Sequence, residues 1–254
     1  MRTEIVERPL LARHAANRIA TLLDQAVSER GIASLAVSGG STPAAMFAEL
    51  AQLRVPWEKV HLFQVDERIA PDDHGDRNYG DLTEHLVNAL PTTLGGFHPM
   101  PVGAIAPDID SGAESTASEG DADQPLLDAN VTDAVAAEYA KTLESVTGTP
   151  AVLDVVHLGL GDDGHTASLA PGDPVLTVED RDVAVSAIYK GRQRLTLTYP
   201  VLKRARELVW LVAGADKTEA VRQLLASDPA IPAGRIPHDT SVLLLDPDAA
   251  AGLR

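Results

Sequence analysis

The 254-residue chain contains no cysteine. Disulfides, thiolate metal sites and cysteine nucleophiles are thereby excluded, and the composition suits a reducing compartment. Aromatic residues make up only 4% of the chain, so a core has to be packed from Ala, Val, Leu and Ile. No apolar run approaches the length of a membrane span. The first residues, Met1-Arg2-Thr3-Glu4, mix charges where a signal peptide would carry an apolar stretch. A cytoplasmic protein without a membrane partner is expected. Cations are scarce as well. Between Arg77 and Lys141 there is no Lys or Arg, while eleven Asp and Glu occur. The net charge of −16 argues against a nucleic-acid partner, because a phosphate backbone would be repelled. The basic residues are left concentrated elsewhere, where they can converge on one small anionic ligand.

What is present is ordinary for a globular protein: 44% hydrophobic and 23% charged residues. The length allows one large α/β domain or two small ones. There is no internal repeat, and no segment reads as an independent second domain, so one domain over residues 1–254 is expected. Residues 10–29 have helical spacing, with Leu11, Ala15, Ile19, Leu22, Leu23 and Ala26 on one side and Gly31 as the stop. Residues 32–37, 60–65, 152–158, 183–188, 208–212 and 242–245 read as buried strands. Helices are expected from Pro43 to about Leu53, and over residues 78–90, 131–146 and 215–226. Near-continuous apolar strands alternating with helices imply a mostly parallel sheet covered on both faces. In such sheets ligands bind at the carboxyl ends of the strands. The loops after Val37, Val65, Leu158 and Val212 should therefore share one cleft. The stretch at about 104–128, rich in Asp, Ser, Gly and Ala, reads as an exposed acidic excursion.

The densest signal is Gly159-Leu160-Gly161-Asp162-Asp163-Gly164-His165-Thr166-Ala167-Ser168, directly after a buried strand. Its glycines allow a sharp turn and a close approach of ligand to backbone. Asp163 and His165 lie two apart, near enough for the carboxylate to fix the imidazole tautomer. A histidine so held is a candidate general base near neutral pH. Read by itself, the same loop also fits an exposed polar turn. Ser38-Gly39-Gly40-Ser41-Thr42-Pro43 joins a strand to a helix, with Pro43 suited to the first helical position. Its N–H groups, hydroxyls and helix N-terminus favour a bound anion; a plain turn with Thr42 as N-cap is the simpler reading. It is neither a Walker loop nor a dinucleotide fingerprint.

Three further segments carry charge into the expected cleft. Asp66-Glu67-Arg68 follows a buried strand, and a salt bridge on the rim would also explain it. Tyr189-Lys190-Gly191-Arg192-Gln193-Arg194 places three cations within five residues, and Arg194 borders the apolar alternation that follows. Arginine suits forked recognition of phosphate or carboxylate. Lys217 stands in a first helical turn, an unfavourable place unless Asp216, Glu219 or a bound phosphate balances it. Zinc is poorly supported, since the eight histidines do not pair at ligand spacing. A serine-nucleophile elbow and a calcium loop are absent from the sequence.

In this order, Val37-Ser38-Gly39-Gly40-Ser41-Thr42-Pro43, Val65-Asp66-Glu67-Arg68 with His74 and Asn78-Tyr79, Leu158 to Ser168, Arg194-Leu195-Thr196-Leu197, and Gly214 with Lys217 resemble the glucosamine-6-phosphate isomerase/6-phosphogluconolactonase superfamily, and within it the lactonases. The resemblance implies a three-layer α/β/α, Rossmann-like domain, acting without metal or organic cofactor. It implies hydrolysis of 6-phospho-D-glucono-1,5-lactone to 6-phosphogluconate in the oxidative pentose phosphate pathway, with His165 as general base. Asp163 would orient His165, while Asp66 and Arg68 complete the catalytic set. Gly39, Gly40, Ser41 and Thr42 would hold the phosphate with Arg194 and Lys217, and Gly161 and Gly164 would let the substrate approach. Backbone N–H groups or Arg68 would stabilise the oxyanion. The sister activity, glucosamine-6-phosphate deamination, relies on a glutamate in the histidine loop. Here Leu169 and Ala170 stand at that point, and Arg68 replaces the usual tyrosine. A non-catalytic sugar-phosphate sensor is a third reading, disfavoured because such regulators carry an added DNA-binding module. Roles for Lys190, Arg192 and Arg235 stay open, and a monomer or small homo-oligomer is expected.

Overall fold

A computed structural model describes residues 1–106 and 126–253. The strands are β1 (Arg2–Ile5), β2 (Ala33–Val37), β3 (Val60–Gln64), β4 (Asp66–Arg68), β5 (Gly96–His98), β6 (Val155–Leu158), β7 (Val183–Val185), β8 (Arg194–Leu197), β9 (Glu207–Val212) and β10 (Ser241–Leu245). The helices are α1 (Arg8–Arg30), α2 (Ser41–Ala51), α3 (Asn78–His85), α4 (Ala129–Thr147), α5 (Tyr199–Arg204) and α6 (Thr218–Leu225). Seven strands form a wholly parallel sheet in the order β1-β10-β9-β6-β2-β3-β5.

Alternation along each strand splits the core into two layers. Leu35, Leu62, Val209 and Leu244 face α1 and α2, whereas Ala36, Phe63, Trp210 and Leu243 face α4, α5 and α6. The architecture is three-layered, α/β/α. Helix α1 buries the expected stripe from Leu11 to Ala26 and stops at Gly31, which adopts φ 84° and donates its N–H to Val27. That left-handed conformation is the reason a glycine stands there.

A second sheet was not legible in the sequence. Strands β4, β8 and β7 pair antiparallel beside the main sheet. Val65 is the junction: its N–H bonds Val37 at the end of β2, and its carbonyl accepts from Leu197 of β8. The triplet at 66–68, expected as a loop, is thereby a strand. Three charged residues carry too little periodicity to be recognised as a strand, whereas β7 falls within the strand expected at 183–188. Other boundaries shift as well. Helix α3 ends at His85, with a separate 3₁₀ turn over Val87–Ala89, and Ala215–Lys217 is a 3₁₀ turn ahead of α6. The acidic excursion expected at about 104–128 falls, over residues 107–125, outside the described residues. No helix among the described residues is long and apolar enough to cross a membrane.

His157 of β6 is fully buried, edge-on to Phe47, and neither ring nitrogen has a hydrogen-bond partner among the described residues. Burial depresses its pKa to about 3. In the unfolded chain the same imidazole titrates near 6.5. The unfolded state therefore binds the extra proton first as pH falls, and stability is lost from about pH 6.5 downward toward 3. His61 and His98 are also lowered by burial and act in the same direction. We expect His157→Leu to spare about 2 kcal/mol of the loss between pH 6.5 and 5. Urea midpoints at the two pH values check this; parallel losses in both proteins would refute it.

Candidate functional site

The order of the parallel strands reverses between β2 and β6, so the loops leaving their carboxyl ends splay apart and open a crevice. A cleft of about 300 Å³ occupies that point. It is lined by the segment 38–43 after β2, by Asp66 and Arg68 of β4, by Asn78 of α3, and by the loop after β6. Arg194 of β8, Leu211 and Val212 of β9, Ala213 just after it and Lys217 complete it. The loops expected to meet after Val37, Val65, Leu158 and Val212 do meet.

His165 reaches the cleft on the loop after β6. Its Nδ1 lies 2.5 Å from Asp163 Oδ1, and its backbone N–H donates to the same oxygen at 3.1 Å. The Nδ1 proton is thus committed to the carboxylate, and Nε2 has no protein partner among the described residues. Burial opposes ionisation of Asp163, but the His165 backbone and ring bonds and the Tyr189 hydroxyl outweigh it and hold the carboxyl below its ordinary range. Gly161 is required here sterically: a Cβ would run into the His165 ring. Its N–H also donates to the His165 carbonyl at 2.8 Å, closing the turn.

Gly164 does not serve the cleft as expected. It adopts φ 80°, faces Ile231 at a distance no side chain would tolerate, and accepts from Ala233. Its part is to seat the loop on the core.

The anion-facing end is built differently from its sequence reading. Helix α2 starts at Ser41, two residues before Pro43, and Gly40 rather than Thr42 is its N-cap. Gly40 has φ 118°, which lets the chain enter the helix early. No side chain caps this end, so first-turn N–H groups remain open to a ligand. Gly39 packs flat against the Asn78 side chain, where a Cβ would collide. Lys217 does find its acid, with Nζ 2.9 Å from Asp216.

Arg194 is buried, 7% exposed, and forms no ion pair among the described residues; its Nε is unpartnered. Burial lowers its pKa, opposed first by Asp66. A buried guanidinium left with open donors is a strong anion acceptor.

Asp66 is buried and accepts the Ser168 hydroxyl at 2.5 Å. Arg68 is held by Asn78 Oδ1 at 2.5 Å and the Asp76 carbonyl at 3.0 Å. Sequence reasoning missed Glu67. It is fully buried and accepts from Gln64, from the N–H of Arg68, and from Asn78 and Tyr79 at the start of α3. Arg77 stands 3.3 Å away. The triplet is therefore not a rim salt bridge; Glu67 ties α3 to β4 and so fixes Asn78 and Arg68. Lys190, Arg192 and Arg235 do not line the cleft. Among the described residues no group of three or more His, Cys, Asp or Glu is placed to hold a metal ion.

Leu169 and Ala170 are buried, 0% and 3% exposed, so the loop offers no carboxylate after His165.

The fold and cleft have counterparts among known proteins. Residues 7–244 match the family described as glucosamine-6-phosphate isomerases/6-phosphogluconolactonase. A 6-phosphogluconolactonase of Synechocystis is 35% identical over 254 residues, covering 98% of this chain and 97% of that protein. The solved structure of 6-phosphogluconolactonase from Trypanosoma brucei is similar with a TM-score of 0.79 and 28% identity, over 100% of this chain and 98% of that one. A monomeric glucosamine-6-phosphate deaminase shares the fold, with a TM-score of 0.76 but 18% identity, over 99% and 100% of the two chains. The shape alone therefore does not separate the two chemistries, whereas the family is settled by the sequence match: this chain belongs to the glucosamine-6-phosphate isomerase/6-phosphogluconolactonase family.

Proposed function

We propose that the cleft hydrolyses 6-phospho-D-glucono-1,5-lactone to 6-phosphogluconate, as a carboxylic ester hydrolase of the oxidative pentose phosphate pathway. The observation that carries the reading is one cleft with a carboxylate-held imidazole and a buried arginine that pairs with no acid among the described residues. The base suits ester hydrolysis; the cation suits a phosphate. Relatives named for this activity, matched over nearly the whole chain, support it. On composition we assign the reaction to the cytoplasm.

Asp163 fixes the Nδ1–H tautomer, so Nε2 carries the lone pair. Nε2 takes a proton from water as its oxygen adds to C1 of the lactone. The carbonyl oxygen becomes an oxyanion, bordered by backbone N–H groups of the glycine turns and by Arg68. Collapse of the intermediate breaks the bond from C1 to the ring oxygen. Nε2–H returns the proton to that oxygen, giving the acid, which ionises. The 6-phosphate rests on the segment 39–42 at the start of α2, with Arg194 and Lys217. Holding the remote phosphate positions C1 for attack.

The test supplies fresh lactone and couples 6-phosphogluconate formation to a dehydrogenase, above the spontaneous background. Glucosamine 6-phosphate is the control substrate, and ammonia release from it without lactonase activity would overturn the reading. Lys217 is partly exposed and already paired with Asp216. We expect Lys217→Ala to raise KM by about three- to tenfold with kcat held. A lowered kcat at constant KM would remove Lys217 from the phosphate site.

A further inference from the structure

We propose that Tyr189 is a positioning residue for the Asp163–His165 pair, sharing the carboxylate that holds His165, and that the Lys190-Gly191 turn is the device that delivers it. The inference rests on the lactonase reading, because it concerns the same base.

The argument starts with the backbone. Lys190 and Gly191 have φ of 50° and 82°. Two successive positive φ values make a two-residue hairpin turn of the kind whose twist matches the flanking strands. Tyr189 and Arg192 face each other across it, with the Tyr189 N–H bonding the Arg192 carbonyl at 3.0 Å. The hairpin continues from β7 and β8, so its base is anchored in the second sheet. Its tip is anchored too. Arg192 Nε donates to Asp76 Oδ2 at 2.8 Å, and its NH2 lies 3.0 Å from His74 Nε2. Arg192 and His74, unassigned from the sequence, thus act as the strut that holds Tyr189 still.

From that turn the phenol reaches the base. The Tyr189 hydroxyl donates to Asp163 Oδ2 at 2.8 Å and sits 3.3 Å from His165 Nδ1. Its ring stands edge-on to the His165 ring at 5.3 Å, and the Arg194 guanidinium lies over the same ring at 5.2 Å. One side chain therefore touches both the base pair and the buried cation. Burial and the Asp163 carboxylate keep the phenol protonated well above the working range, so it stays a donor. Asp163 then has both oxygens occupied: Oδ1 by His165 and Oδ2 by Tyr189.

Each donor withdraws charge from the carboxylate, so Asp163 stabilises the imidazolium less than a bare carboxylate would. The hydroxyl also denies Asp163 a second rotamer, which keeps Nε2 aimed into the cleft. The charged groups facing this cluster are Asp162 and Asp163 from the same loop, Asp66 and Arg68 from β4, Arg194 from β8, Lys190 on the turn, and Lys217 across the cleft. Tyr189→Phe leaves all of them in place and keeps the ring against His165 and Arg194.

We expect Tyr189→Phe to lower kcat by about tenfold with KM within about twofold. The acid limb of kcat/KM should move up by about half a pH unit. Tyr189→Ala should in addition raise KM, because Arg194 loses the ring beneath it. The companion measurement needs no substrate: an NMR titration of the His165 imidazole nitrogens in wild type and Tyr189→Phe. An upward shift there supports the inference even if the wild type proves inactive on the lactone, a result that would sink only the functional reading. An unshifted His165 titration in a folded Tyr189→Phe protein overturns the positioning role, whatever the rates.

Discussion

Replacing His165 with alanine lowers lactone turnover by about a hundredfold or more and leaves binding of 6-phosphogluconate nearly unchanged. General base catalysis by a positioned imidazole contributes about 10² to 10⁴ in rate. Here most of the geometry for that contribution is local to one loop, and the Tyr189 hydroxyl adds to it from the neighbouring hairpin. Nδ1 is taken by Asp163 at 2.5 Å, Gly161 leaves room for the ring, and the Gly161 N–H pins the loop backbone. Alanine removes the ring and nothing that touches the phosphate end, so KM and product affinity have no reason to change. The lactone also hydrolyses spontaneously, so the residual rate must be measured against the uncatalysed background. Turnover near that of wild type would show that water is activated elsewhere. A lost product affinity would show that His165 grips the ligand instead of activating water.

Arg194→Met should raise KM by about ten- to hundredfold while the melting temperature holds or rises. The two halves of this expectation share one cause. Arg194 is buried, no carboxylate pairs with it among the described residues, and its Nε has no partner. A buried charge without a partner costs folding energy. Methionine keeps most of the apolar volume and its contact with the Tyr189 ring, and removes the charge. The ligand, however, loses charge-assisted bonds worth about 1.5–3 kcal/mol. Steady-state kinetics and thermal melting of the same preparation read both. A kcat loss at constant KM would move Arg194 from the phosphate to the reacting carbonyl. A melting temperature several degrees lower would mean that Asp66 depends on the guanidinium more than their geometry implies.

The two expectations locate the cost of the site. Helix α2 begins without a side-chain cap, Arg194 is buried without an acid paired to it among the described residues, and the loop after β6 uses glycine where a side chain would stabilise it. Each is a local disadvantage that a bound anion or the working base turns to use. Among the described residues the core makes two smaller concessions, the unpartnered His157 ring and the unpartnered indole N–H of Trp57, and neither has an evident part in the cleft.

The sequence alone determined the parallel α/β/α plan, the helix over most of Arg8–Arg30, and the cleft formed by four separated loops. These were legible because they rest on periodicity, on glycine frames after apolar strands, and on a general rule for where such sheets bind ligands. It also singled out Asp163, His165, Arg194 and Lys217 by their chemistry. Only the tertiary structure decided the rest. Strand β4 is short, and its pairing with β8 spans more than a hundred residues, so no local pattern encodes it. Glu67 looked like a surface charge because burial is not a property of one residue; it became a buried hub when α3 brought Asn78 and Tyr79 onto it. Gly164 looked like a ligand contact and proved to be packing against Ile231, a neighbour distant in the chain. Tyr189 carried no signal, because its meaning lies in a hydroxyl 2.8 Å from a carboxylate twenty-six residues earlier. Patterns in sequence record what each segment does with its own backbone, whereas contacts between segments are fixed only when the sheets close around them.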